Sequence, residues 1–183
     1  MGELRCKGIM LRNRVEILDE EYGVADALRA GLSTELRDAL SYGRIVRGGW
    51  YPMAWLREIH EVGSRVTGKG GALARELAAH GAARNFTSVH KAFLTIVSPR
   101  AVLKRAPRIF GAYFDGGRFE LGSSEPGEAR IAISECNGFD RHVWEAMAGT
   151  AEAVLTMGGA KDVHSDYTLG PTPASGELKA AWR

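Results

Sequence analysis

The hydrophobic period changes once along this chain, at Asp115-Gly116-Gly117, and that change most restricts the folds open to it. Up to about residue 114 the apolar residues recur at the three-and-four spacing of helices, and beyond it they alternate or come in short runs. Ile9, Leu11, Val15, Ile17 and Leu18 share a side of a first segment that ends at Gly23, a residue suited to close a helix. Ser33 or Thr34 can cap a second, with Leu36, Ala39 and Leu40 on its apolar side. Pro52 suits the first turn of a third, which carries Trp55, Leu56, Ile59, Val62 and Val66 until Gly68, Gly70 and Gly71 interrupt it. An alanine-rich helix is expected over residues 72–83, another over 87–97, and one from Ser98-Pro99 to about Phe114.

After the change, residues 118–121 and 129–134 read as strands joined by a turn at Pro126-Gly127, with Arg130-Ile131-Ala132-Ile133 alternating. Residues 143–157 return to helical spacing and stop at Gly158-Gly159. Residues 162–169 and 177–182 complete the pattern around a GPTPASG loop. The expectation is an α+β fold in one domain over 1–183, a helical half (1–114) followed by a ββαββ half (115–183) whose helices cover one face of an antiparallel sheet.

Composition excludes several functions. Lys+Arg 24 against Asp+Glu 22 leaves a net charge of +2, without the clustered basic surface of a nucleic-acid binder. No run nears the roughly 18 apolar residues of a membrane span, and MGELRCKGIMLRNR lacks the apolar core of a signal peptide. Cys6 and Cys136 are too few for a disulfide framework. The expectation is a cytoplasmic protein with reduced thiols, no integral membrane association and no nucleic-acid partner.

The chemistry-bearing residues are scattered. His60, His80, His90, His142 and His164 form no HxxxH, HExxH or Cys/His pair at ligand spacing, so no metal site is expected. His80 follows Glu76 by four residues, the spacing of an exposed helical pair. Cys136 could meet His142 if the chain folds back, but a strand-end thiol beside a turn is the commoner case, and no catalytic residue is assigned. Thr67-Gly68-Lys69-Gly70-Gly71-Ala72 lacks the spacing of a phosphate-binding loop and reads as a joint between helices. Arg100, Lys104 and Arg108 recur every four residues and line one side of a helix, either as a solvated face or as a contact for an anion or protein partner. Trp50, Tyr51 and Trp55 surround a glycine turn, and Phe110 and Tyr113 close the cationic helix. With His90 and Phe93 these aromatics are the candidate lining of a pocket for a small apolar or lipid-like ligand.

Four segments, KGIML (7–11), GGWYPMAWLREI (48–59), the run from Phe93 to Leu121 and GGAKDVHSDY (158–167), resemble an uncharacterised bacterial family of about this length. The order of helices followed by ββαββ is also similar to the superfamily of haem NO-binding domains, vinyl-reductase-type ligand-binding domains and TRAPP components. That resemblance implies a sensory or regulatory module, non-enzymatic, that encloses a ligand, forms a homodimer or docks a partner. The haem-binding members hold haem with a histidine on the helix before the first strand and grip its propionates with Tyr-x-Ser-x-Arg. Here that helix reads Val102-Leu103-Lys104-Arg105-Ala106-Pro107 and the strand Ala132-Ile133-Ser134-Glu135-Cys136, so no haem or other cofactor is expected. His90, on a neighbouring segment, is the one histidine that could substitute. Three readings follow in order: a module that binds a small apolar ligand without haem, an interaction module with a filled core that works through its surfaces, and last an enzyme that uses Cys136 or a histidine.

Overall fold

A computed structural model describes residues 2–85 and 98–183. The amphipathic segments of the first half form α1 (Gly8–Glu20), α2 (Ala25–Gly31), α3 (Thr34–Ser41), α4 (Met53–Thr67), α5 (Ala72–Asn85) and α6 (Pro99–Tyr113). Their apolar stripes face inward, with Leu11, Ile17 and Leu18 of α1 and Leu56 and Ile59 of α4 completely buried. Gly68 ends α4 in the left-handed region (φ 71°), where a residue with a Cβ is strained.

Three details of this half differ from the sequence reading. Residues 25–31 form α2, a helix too short to show periodicity, which is held by the complete burial of Leu28. Ser33 precedes α3, yet its hydroxyl donates to Glu58 Oε2 (3.0 Å) rather than capping the helix. Trp50, Tyr51 and Pro52 form strand β2 (Trp50–Pro52), paired antiparallel with β1 (Arg5–Lys7) in the register Cys6 opposite Tyr51. Pro52 therefore stands just before α4 instead of inside its first turn. Both strands are three residues long, so neither carries a recognisable alternation. The helix expected over 87–97 lies outside the described residues.

The second half follows the expected ββαββ order. Strands β3 (Arg118–Glu125), β4 (Glu128–Ser134), β5 (His164–Leu169) and β6 (Gly176–Ala181) form one antiparallel sheet in the order β3-β4-β6-β5, with α7 (Arg141–Met157) between β4 and β5. β3 runs four residues further than its hydrophobic pattern, because pairing with β4 resumes beyond an irregularity between Leu121 and Ser123. Alternation in β4 puts Ala129, Ile131 and Ile133 inward. The opposite face carries cross-strand ion pairs such as Arg130 with Glu177 (3.4 Å) and Lys179 with Glu128 (3.4 Å).

α7 lies on the covered face and joins the two halves. Its Trp144 is fully buried, stacks on Tyr167 of β5 (5.7 Å between centroids) and donates from Nε1 to Pro173 O (2.8 Å). α5 packs most closely on α7 through alanines, with Ala74 and Ala78 against Ala146. A Cβ at Gly149 would collide with the backbone carbonyl oxygen of Arg75, so glycine sets this approach. Arg75 seals the seam by donating to Glu145 (2.9 Å), Glu152 (2.8 Å) and Ser165 O (3.1 Å). One continuous apolar core runs from Leu4 to Ala180 through both halves.

Candidate functional site

The core is not filled everywhere. Between α1, α5, α6, α7 and the covered face of the sheet lies a cavity of about 130 Å³. α7 supplies its longest wall, where Val143, Met147, Ala151, Val154 and Leu155 recur at helical spacing. α6 faces it with Val102, Leu103, Ala106, Ile109, Phe110 and Tyr113, and the sheet closes it with Phe119, Ile131 and Leu178. The void exists because the residues facing across it from α5, Ala78, Gly81 and Ala82, are too small to fill the gap between α6 and α7.

One end of the cavity is polar. Arg14 of α1 lies there, 4% exposed, with Nε donating to His60 Nε2 (3.3 Å) and Nη1 donating to Leu77 O (3.0 Å). Asn13 Nδ2 donates to Asn85 Oδ1 (2.9 Å), and Asn85 Nδ2 in turn donates to Tyr113 Oη (3.4 Å). Burial lowers the Arg14 pKa to about 10, which leaves the guanidinium charged at neutral pH. Burial, with the Arg14 and His142 charges, pushes His60 well below the ordinary imidazole value, so it accepts from Arg14 as a neutral ring. The sequence reading passed over Arg14. Its signal was a cation three residues after Leu11 and three before Ile17, on the apolar stripe of α1.

The aromatic candidates separate into two groups. Phe110 and Tyr113 line the cavity. Trp50, Tyr51 and Trp55 do not: Trp50 and Tyr51 are committed to strand pairing with β1, and Trp55 stands on the first turns of α4 beside Tyr51. Tyr51 Oη accepts from Val46 N (2.8 Å) and donates to Arg44 O (2.9 Å), while its ring stacks on Trp55 (5.7 Å). Trp50 sits under Lys7 Nζ (3.6 Å) and lines a separate open groove with Pro107 and Gly116. Phe110, Phe114 and Phe119 line both spaces and stand between them. His90 and Phe93 lie outside the described residues. Arg100, Lys104 and Arg108 are all exposed, on the side of α6 away from the cavity.

The remaining chemical candidates are placed plainly. Cys136 Sγ donates to Ser134 O (3.3 Å), and burial pushes its thiol up to about 12, the reverse of an activated nucleophile. His142 lies by His60 instead, with 6.4 Å between ring centroids. His80 pairs with Glu21 (2.6 Å) rather than with Glu76, which takes Lys69 (2.6 Å) and Tyr22 (2.7 Å). Among the described residues no group of three or more His, Cys, Asp or Glu could hold a metal ion, and no helix is long and apolar enough to cross a membrane.

The cavity residues that the structure describes do not fit a haem. No histidine or cysteine among the described residues lines the space, and α6 presents aliphatic and aromatic carbon where an iron ligand would stand. Among the described residues the thioethers of Met10 and Met147 and the Tyr113 phenol, already engaged by Asn85, are the side-chain groups nearest to an iron ligand's role. A volume of about 130 Å³ is close to that of cavities that admit one benzene ring, far short of a tetrapyrrole.

No protein-family model matches this chain, and no curated protein matches it in sequence. Solved structures are similar throughout its length. The Fe(II) unliganded H-NOX protein from K. algicida is 13% identical, with 97% of this chain and 96% of that one covered at a TM-score of 0.70. A single-residue variant of T. Tengcongensis H-NOX is 14% identical, with 97% of each chain covered at 0.68. An oxygen-binding H-NOX domain related to soluble guanylate cyclases, solved as its oxygen complex, is 13% identical, with 97% and 95% covered at 0.67. The layout similarity read from the order of helices and strands is thus a shared tertiary structure, and the chain has the H-NOX fold.

Proposed function

We propose that this protein is a non-enzymatic sensory or regulatory module that encloses a small apolar ligand in the cavity between α5, α6, α7 and the sheet, without haem. The observation that carries the reading is the cavity itself, a benzene-scale space whose described lining is almost wholly carbon. The similar solved structures, one of them an oxygen complex, support a ligand-binding use of the fold. The non-enzymatic part is supported by two buried thiols held near 12 and the separation of Cys136 from His142.

α6 offers a route from ligand to surface. Its inner side lines the cavity through Val102, Leu103 and Ala106, while its outer side displays Arg100, Lys104 and Arg108. Those three exposed cations, none in an ion pair among the described residues, also favour the second reading, a module that docks a protein partner on α6.

Native mass spectrometry of the purified protein, with an absorbance spectrum, tests the main reading. Extra mass of a small organic molecule, or stabilisation by a panel of small apolar compounds, is expected, with no Soret band. An empty protein that no compound stabilises refutes the reading, and a Soret band refutes its haem-free part. The same spectrum of masses reports whether the protein forms the expected homodimer. Reversing charge at Arg100, Lys104 and Arg108 tests the second reading through loss of partner capture.

A further inference from the structure

Arg14 is a charge without a counter-charge among the described residues. Its guanidinium is buried, and both of its hydrogen bonds go to neutral acceptors, the His60 ring and the Leu77 carbonyl. Among the described residues no carboxylate pairs with it, and the groups whose charge acts on it are the Cys6 thiol and the Tyr113 phenol, both protonated at neutral pH. Buried cations in folded proteins are normally paired, since an unpaired one forfeits hydration without compensation. This one also borders the apolar cavity, and its Nη2 makes no hydrogen bond with the described residues. Gly81 of α5 lets it lie there, since a Cβ at that position would come within 2.5 Å of Nη1.

We infer that the ligand of this cavity is an apolar monocarboxylate, its carboxylate received by Arg14 and its ring or short branched chain held by the carbon lining. This deepens the proposed ligand-binding role and rests on it. A carboxylate supplies the missing counter-charge and takes the free side of a planar guanidinium with charge-assisted hydrogen bonds. Asn13, Asn85 and Tyr113 give the same end a neutral polar surround, which suits a headgroup and not a hydrocarbon. The volume limits the body to about six to eight carbons, the scale of benzoate or a branched short-chain acid.

The test uses the full chain with benzoate, toluene, benzyl alcohol and acetate as probes, followed by calorimetry and by the Arg14 Nε–H resonance. Benzoate is expected to bind at least about tenfold more tightly than benzyl alcohol, as a hydrogen bond to a charged group implies. It is expected to shift the Arg14 resonance where toluene does not. Arg14→Met is expected to abolish the preference for benzoate while toluene still binds. Equal affinity for benzoate and benzyl alcohol overturns the inference, as does acetate matching benzoate, because the charge or the apolar body then contributes nothing. Toluene binding without benzoate overturns the inference and leaves the cavity reading standing. Binding of no probe overturns both. The preference and the resonance are measured on the unaltered protein, so they decide the question even if Arg14→Met does not fold.

Discussion

Filling the cavity should stabilise the protein and abolish its capacity for ligand. Ala151 lies in the middle of the α7 wall, four residues after Met147 and three before Val154, and all three line the space. At about 24 cal/mol per Å³, an unoccupied void of about 130 Å³ costs about 3 kcal/mol, an upper limit on what any filling can recover. Ala151→Leu adds three carbons, worth about 2.4 kcal/mol if all are buried at 0.8 kcal/mol each. Because one rotamer must be fixed and the walls must adjust, a net gain of about 1–2 kcal/mol is expected. For a chain of 183 residues that raises Tm by about 2–8 °C in calorimetry. The same variant should lose the stabilisation that small apolar compounds give the parent. A destabilisation of more than about 1 kcal/mol would refute the reasoning, since the space would then not accept three carbons. So would a variant that gains stability yet binds those compounds unchanged, because the ligand would then sit elsewhere.

Three further outcomes follow from particular contacts. Gly149→Ala drives a Cβ into the Arg75 backbone where α5 and α7 touch, and should lower the unfolding free energy in urea by about 2–4 kcal/mol; an unchanged midpoint would contradict this packing. Cys6 and Cys136, each pushed up to about 12 by burial, should resist iodoacetamide at pH 8 in the folded protein and react on unfolding, and rapid native alkylation of either would count against its placement. Burial raises the Asp115 pKa, but hydrogen bonds from the Arg5 backbone and guanidinium outweigh it and hold the folded value below the ordinary 3.8. A depressed carboxylate stabilises the fold above its unfolded pKa, and the contribution is lost as pH falls through the folded value. Asp115→Asn should therefore lower stability at neutral pH and flatten its decline below about pH 4 in acid titrations followed by circular dichroism. A decline as steep as the parent's would refute that linkage.

Local rules made much of the second half legible. The alternation in β4, the Pro126-Gly127 turn and the stop at Gly158-Gly159 act through near neighbours, and the structure has each where the pattern puts it. The α2 helix and the β1–β2 pair were not legible, since a seven-residue helix and two three-residue strands are held by distant packing and carry no period of their own. The same pairing places Trp50 and Tyr51 away from the cavity between α6 and α7. Trp50 lies against Lys7, Tyr51 reaches backbone groups near residue 45, and the Tyr51 ring stacks on Trp55 of α4.

The sequence by itself determined the ββαββ order of the second half, the inward faces of the longer described helices and that of β4, because each depends on residue type and spacing along one segment. Only the tertiary structure decided where the core is left open and what that opening touches. A void is a property of several walls at once. Ala78, Gly81 and Ala82 are ordinary small residues on α5 until α6 and α7 are set opposite them, and Arg14 is one cation among many until the fold buries it there with no carboxylate partner among the described residues.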